Sequence, residues 1–377
     1  MATILRDRGI DSEYISLENI LPNDEGDRFT FGEGDQLDQW FYDRLSAVMG
    51  ERIRRCGSKV PVVTGFFGPV PGSLLRQIGR GYTDLAAALL AAGLEASELQ
   101  IWKEVDGIFT ADPRKVPTAR LIPIISPEEA AELTYYGSEV IHPFTMEQVI
   151  RRDIPIRIKN VENPQGGGTV IHPDPDESLE FMSRLPSGSV TPEEISVSRV
   201  HSLSSPTSTK HRRLPTAVTI KENIAIVNVN SNRKTVSRGF FAKIFGLLDK
   251  FGLVVDLIST SEVHVSMAMD DSLEKRLFDR LLQELSKSGS VSVRRRMAIL
   301  SLVGKKMHHM IGISGRMFTA LADGNINIEM ISQGASEINI SCVIDGQDAV
   351  KALNLIHQTC LQIKPEGARG IVGQWLF

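Results

Sequence analysis

Past Ala217 the chain repeats itself, and this repeat restricts the available folds more than any single motif does. Leu257-Ile258-Ser259-Thr260-Ser261-Glu262-Val263-His264-Val265-Ser266 is echoed by Met330-Ile331-Ser332-Gln333-Gly334-Ala335-Ser336-Glu337-Ile338-Asn339-Ile340-Ser341. A helical run precedes each stretch (239–251 and 315–322), with a glycine-containing turn into a strand. An acidic turn and an amphipathic helix follow each (273–285 and 348–360). That order predicts two β-α-β-β-α-β units. Helices would cover one sheet face of each unit and leave the other face or edge to pair with a second copy.

The section before the repeat, to about Pro173, alternates short apolar runs with helical patterns, as βαβ units do. Residues 59–64 read as a strand. A long glycine-studded loop then delivers Gly79-Arg80-Gly81-Tyr82-Thr83-Asp84 to an alanine-rich helix over 83–94, with Gly93 as its stop signal. A helix N-terminus has unpaired N–H groups and a positive dipole end, which suit a phosphate or carboxylate. Glycines let the backbone approach an anion closely, and Arg80 can fork onto it. The plainer alternative is a surface loop with an ordinary N-cap at Thr83 or Asp84.

Further along, 99–105 alternates as a strand, and 106–114 is rich in turn residues. Ser126-Pro127-Glu128-Glu129 has a capping serine, a proline at the first helical position and a glutamate that completes a capping box. A helix follows His142-Pro143, where His142 either caps locally or touches a nucleotide. Residues 154–160 form another strand, and Pro164-Gln165-Gly166-Gly167-Gly168 makes a hairpin-like or flexible loop before Thr169-Val170-Ile171. From His172 to Pro215 the composition shifts to Pro, Ser, Asp and Glu, as in a linker. Its basic cluster, Lys210-His211-Arg212-Arg213, reads as solvated charge.

At 377 residues the chain can bury a sizeable core in two or more domains. A net charge of −4 gives no argument for nucleic acid or a membrane surface. No apolar run approaches spanning length, and residues 1–11 have no secretory core. Cys56, Cys342 and Cys360 are irregularly spaced and offer neither a disulfide framework nor a zinc pattern, so a reducing, cytoplasmic compartment fits. There is no GxxxxGK[ST] loop and no protein-kinase catalytic loop, so any ATP is handled on another scaffold. His308-His309 lacks nearby cysteines or spaced carboxylates and reads as a loop before a helix; no metal ligands are expected.

Four motifs stand in a telling order: GRGYTD (79–84), WKEVDGIFTADPR (102–114), GSEVIHP (137–143) and IPIRIKN (154–160). In that order, and with the repeat behind them, they resemble the aspartate kinases, most of all the fungal monofunctional type. The resemblance implies an α/β fold: a three-layer α/β/α amino-acid-kinase domain over 1–173, a linker over 174–216, and two ferredoxin-like ACT domains over 217–296 and 297–377. It also implies phosphorylation of the L-aspartate side chain by ATP, with Mg²⁺ bound through the nucleotide phosphates. Arg80 then resembles the arginine that holds a carboxylate of aspartate, Thr83 the neighbouring hydroxyl donor, and Asp84 the carboxylate that organises the cationic groups. Lys103, Glu104, Phe109, Arg114, Lys159 and Asn160 fall where the family contacts ATP. Phe109 has a core role as its alternative.

Within the repeat, Ser237, Phe240, Phe241, Asp256, Thr260, Ser261 and Glu262 fall where family members bind an inhibitory amino acid. For the fungal branch the effector implied is L-threonine, although the residues would accept another small amino acid. Asp256 suits the ammonium of such a ligand, and the hydroxyls suit its carboxylate. Helical spacing turns Phe240 and Phe241 toward the domain core rather than a pocket. A homo-oligomer through the ACT domains is expected.

One departure stands at the front. The family begins with a Lys-Phe-Gly-Gly strand and later places a Gly-Glu pair, and neither precedes Arg6-Asp7-Arg8-Gly9. Lys59 is not followed by Phe-Gly-Gly, and Glu33 is only a superficial match. The expectation is a kinase domain lacking its N-terminal part, with a non-catalytic regulatory or assembly subunit as the alternative function.

Overall fold

The computed structural model describes residues 1–20, 39–68, 81–135, 141–172, 214–231, 239–272, 274–334 and 338–363. They fall into two compact units. The first holds the described residues up to Ile108, those from Leu121 to Thr134, and 141–172; the second takes 109–120, Tyr135 and the described residues from 214 onward. Most of the expected linker lies outside the described residues.

In the first unit, α1 (Ala2–Asp7) leads into β1 (Ser12–Ile15), which pairs in parallel with β2 (Val60–Val63). The crossover between them contains α2 (Gln39–Arg54). β2 is followed by α3 (Tyr82–Leu94) and β3 (Leu99–Lys103). Next come β4 (Ile124–Ile125), α4 (Pro127–Tyr135), α5 (Pro143–Ile150), β5 (Ile156–Asn160) and β6 (Thr169–Ile171). The second sheet runs β3-β5-β6-β4, with β3 parallel to β5 and β6 antiparallel to β5.

The cap expected at Ser126 forms in both directions: its Oγ accepts the Glu129 N–H, and the Glu129 carboxylate accepts the Ser126 N–H, each at 3.3 Å. Gly93 does not end α3. The helix continues to Leu94, and Glu95 takes the left-handed C-cap conformation at φ 52°. Gly93 instead marks a helix crossing. A Cβ there would stand 2.0 Å from the Ser46 carbonyl oxygen, and one at Gly50 would stand 2.3 Å from that of Gly93. Ser46 Oγ donates to the Leu89 carbonyl across the same crossing at 2.8 Å. Leu45, Met49, Leu85 and Leu89 bury the flanks of this contact, with Ile15 and Phe41.

The second unit is built on one antiparallel sheet of order β11-β12-β10-β7-β9-β8. Its long strands are β7 (Ala217–Ser231) and β10 (Gly289–Val303). The shorter ones are β8 (Leu257–Thr260), β9 (His264–Asp270), β11 (Met330–Ser332) and β12 (Asn339–Asp345). The helices are α6 (Phe240–Lys250), α7 (Lys275–Ser286), α8 (Ile313–Asp323) and α9 (Ala349–Cys360).

Both long strands serve both copies of the repeat. The second half of β7 pairs with β9, whereas its first half pairs with the second half of β10, which in turn pairs with β12. The opening residues of β7 therefore supply the fourth strand of the second copy. A register shift separates the halves, and Asn223 and Arg296 both adopt φ 60° there. An inserted residue exchanges the faces of a strand. Accordingly Val218 and Ile220 bury against α8 and α9, while beyond the bulge Ala225, Val227 and Val229 bury against α6 and α7. Among the described residues, no helix is long and apolar enough to cross a membrane.

Candidate active site

The mouth of α3 is shaped by the end of β2. Thr64 Oγ1 accepts the Leu17 N–H at 3.0 Å and donates to the Phe66 carbonyl at 2.9 Å, which turns the chain as it leaves the strand. Gly65 then lies directly against the helix start: a Cβ there would meet Thr83 Cγ2 at 2.7 Å. A side chain at this position would force Thr83 to shift.

The N-cap of α3 is Gly81, and no side chain caps it among the described residues. Thr83 and Asp84 are thus within the first turn rather than serving as caps. Asp84 Oδ2 instead accepts from Lys103 Nζ at 2.9 Å, with side chains 26% and 31% exposed. The pair lies at the boundary with water, where screening limits what it adds to stability. Its consequence is placement: an ammonium is held at an N-terminus whose N–H groups already favour anions. Arg80 lies outside the described residues.

β3 and β5 run parallel, with Trp102 opposite Lys159 and Lys103 opposite Asn160. Two lysines therefore end adjacent strands at their carboxyl ends, where open α/β sheets bind ligands. Lys159 is buried, and its Nζ stands 5.0 Å from the Trp102 ring centroid. Asn160 Nδ2 donates to Asp106 Oδ1 at 3.0 Å, and Asn160 Oδ1 accepts the Glu162 N–H at 2.9 Å. This ties the end of β5 to the loop after β3. Glu104 is exposed. Cations, amide donors and helix N–H groups of this kind form a donor set suited to polyphosphate. His142 caps α5, with Nδ1 accepting the Phe144 N–H at 3.2 Å.

Phe109 and Arg114 belong to the second unit. Phe109 is partly buried. Arg114 is 88% exposed and donates from Nε and Nη2 to the two carboxylate oxygens of Asp112, each at 3.0 Å. That hydrogen bonding holds the Asp112 carboxyl below its usual range, against a smaller opposing effect of burial.

Among the expected effector residues, Ser237 lies outside the described residues. Phe240 is buried in the core with Ile244 and Leu248, and Phe241 packs against that core at a ring separation of 5.5 Å. Thr260, Ser261 and Glu262 are exposed at and just after the end of β8. Asp256 Oδ1 accepts from Lys221 Nζ at 2.7 Å, while its Oδ2 is buried and has no hydrogen-bond partner among the described residues. Lys221 was not singled out from the sequence. A lysine beside the buried Ile220 on an alternating strand was the available signal, but it does not point to a carboxylate 35 residues away.

Residues 1–160 match a family model described as "Amino acid kinase family", and residues 300–359 match one described as "ACT domain". The chain is 56% identical over 362 residues to the aspartokinase of Schizosaccharomyces pombe, which covers 96% of this chain and 66% of that protein. It is 49% identical over 362 residues to aspartate kinase FUB3 of Gibberella fujikuroi, with 95% and 67% covered. Among solved structures, E. coli aspartokinase III in complex with aspartate and ADP (R-state) is similar at a TM-score of 0.69 and 28% identity. That match covers 94% of this chain and 71% of the other. The chain thus spans 66% of the length of its S. pombe relative.

Proposed function

From the fact that this chain belongs to the aspartokinase family, we propose that it takes part in phosphoryl transfer from ATP to the side-chain carboxylate of L-aspartate, yielding 4-phospho-L-aspartate and ADP. The observation that carries this is the Asp84–Lys103 pair at the start of a helix whose N-cap is a glycine. Two anions must meet in such a reaction. Like charges 4 Å apart repel by about 4 kcal/mol at an effective dielectric near 20. Fixed cations and backbone dipoles offset that repulsion most where charge builds up in the transition state.

In this assignment Asp84 keeps Lys103 at the mouth of α3. Arg80 and Thr83 hold the aspartate substrate. Lys103, Glu104, Lys159 and Asn160, all of the first unit, hold the nucleotide. Mg²⁺ entering with the nucleotide screens the phosphate charge.

The ACT match supports regulation by a small amino acid, for which we assign L-threonine. In this assignment the Asp256 carboxylate takes its ammonium, and Ser237, Thr260, Ser261 and Glu262 complete that site. The protein works in the cytoplasm as a homo-oligomer joined through the ACT repeats.

Incubation of the purified protein with ATP, Mg²⁺, L-aspartate and hydroxylamine tests the reaction. Aspartyl hydroxamate is expected with L-aspartate and not with L-glutamate. Its absence with L-aspartate would count against the assignment.

A further inference from the structure

Within the first unit, one face of β5 carries two buried cations. Arg157 and Lys159 are two residues apart on the strand and so share a face, and they are 2% and 9% exposed. Basic side chains are rarely buried this deeply unless they are paired. Arg157 is paired: its Nε donates to Glu98 Oε2 at 2.9 Å, and its Nη1 donates to the Gly167 carbonyl at 3.0 Å. Glu98 also accepts from Gln100 Nε2 at 2.7 Å, so that carboxylate is already engaged.

Lys159 has no such counterpart. Among the described residues no carboxylate pairs with its ammonium, and its neighbour is the ring of Trp102, directly opposite on β3, with the centroid 5.0 Å from Nζ. Trp102 is 42% exposed, so the ring stands where the sheet meets water. Gly168, at φ 72°, comes up to the lysine stem: a Cβ there would stand 2.0 Å from the Ile158 carbonyl oxygen and 3.4 Å from Lys159 Cγ. The Arg157–Gly167 bond secures the same loop. An indole face attracts an ammonium through its quadrupole but carries no net charge. The buried positive charge is therefore oriented without being neutralised, and a buried charge calls for an opposite one. It lies near the carboxyl end of a strand, where open α/β sheets bind their ligands.

We propose that Trp102 is a positioning residue for nucleotide binding, whose ring holds the unpaired ammonium of Lys159 in place for a nucleotide phosphate. The inference rests on the assignment of Lys159 to the nucleotide in the proposed reaction, and it uses residues of the first unit alone. The phosphate supplies the negative charge that Glu98, committed to Arg157, does not.

ADP affinity, measured by calorimetry on the whole protein, tests this in a double-mutant cycle of Trp102→Leu and Lys159→Met, with hydroxamate formation by the parent followed in parallel. Lys159→Met should weaken ADP binding about tenfold or more. Trp102→Leu, with Lys159 present, should weaken it about threefold to tenfold. Because the ring acts through the ammonium, the same substitution in Lys159→Met should change ADP affinity by less than about twofold. A ring that serves only packing would lower affinity equally in both backgrounds.

Equal losses in the two backgrounds, or parental ADP affinity in folded Trp102→Leu, overturns the proposal. Should Trp102→Leu not fold, Trp102→Phe takes its place in the cycle. Its weaker face should cost about twofold to threefold with Lys159 present and nothing measurable without it; any other pattern overturns the proposal. Parental ADP affinity in Lys159→Met takes Lys159 off the nucleotide and overturns the proposal with it. A parent that binds ADP but makes no hydroxamate refutes the proposed reaction, while the cycle still decides the role of Trp102. A parent that does not bind ADP refutes both.

Discussion

Replacing Gly93 with alanine sets two physical effects of opposite sign against each other. Helix propensity alone favours alanine over glycine inside a helix by about 1 kcal/mol. The structure demands the reverse, because the new Cβ would lie 2.0 Å from the Ser46 carbonyl oxygen, about 1.4 Å inside ordinary contact. The obstacle is backbone in the facing helix, so α2 and α3 must separate. Forced separation of a well-packed contact costs about 1–3 kcal/mol. Losing the Ser46 Oγ–Leu89 hydrogen bond adds about 1 kcal/mol. Against the propensity gain, the net is destabilisation of about 2 kcal/mol, or roughly 4–8 °C in the melting of a unit of this size.

Calorimetric melting of the whole protein reports it, since heat uptake registers the unfolding of either unit. Gly246→Ala is the control: its Cβ would meet nothing within 4 Å, so propensity acts alone and the second unit should gain stability. A Gly93→Ala protein as stable as its parent, with Gly246→Ala behaving as stated, would refute the close-crossing argument.

Asp84→Asn removes the charge that fixes Lys103 and should lower the rate of aspartyl phosphate formation by about a hundredfold with the far-UV spectrum unchanged, as hydroxamate kinetics would reveal. Asp256→Ala and Ser261→Leu should relieve inhibition by threonine; inhibition curves that superpose on the parent's would remove both residues from the effector site. Burial, aided by the nearby Arg120 charge, holds His357 below its ordinary value near 6.5. The unfolded chain then binds a proton that the folded one refuses, so stability should fall as pH drops below about 6.5, with a slope of at most about 1.4 kcal/mol per pH unit from this group. In His357→Gln that part of the pH dependence of unfolding should vanish.

Much of the fold was legible because its causes are local. Ser126 and Glu129 are three residues apart on one turn, so their reciprocal cap follows from spacing alone. The four helices of the repeat and the strands between them follow from hydrophobic periodicity, which operates within a turn or a strand. The residue types at the α3 mouth were equally plain, since glycine, threonine and aspartate before an alanine-rich run mark a helix start whatever lies around it.

The pairings were not legible. Asp84 and Lys103 are 19 residues apart and meet because β3 emerges beside the start of α3. Asp256 finds Lys221 through sheet order, and the bulge at Asn223 and Arg296 exchanges buried and exposed faces in a way a strict two-residue alternation cannot anticipate. Gly93 has the same letter whether it stops a helix or admits another helix against it. Residues 106–114 read as rich in turns, yet which unit encloses them depends on what packs around them, and 109–114 belong to the second. Amino-acid order specifies backbone preference over a few residues, whereas register, close approach and burial arise only when distant segments compete for the same space.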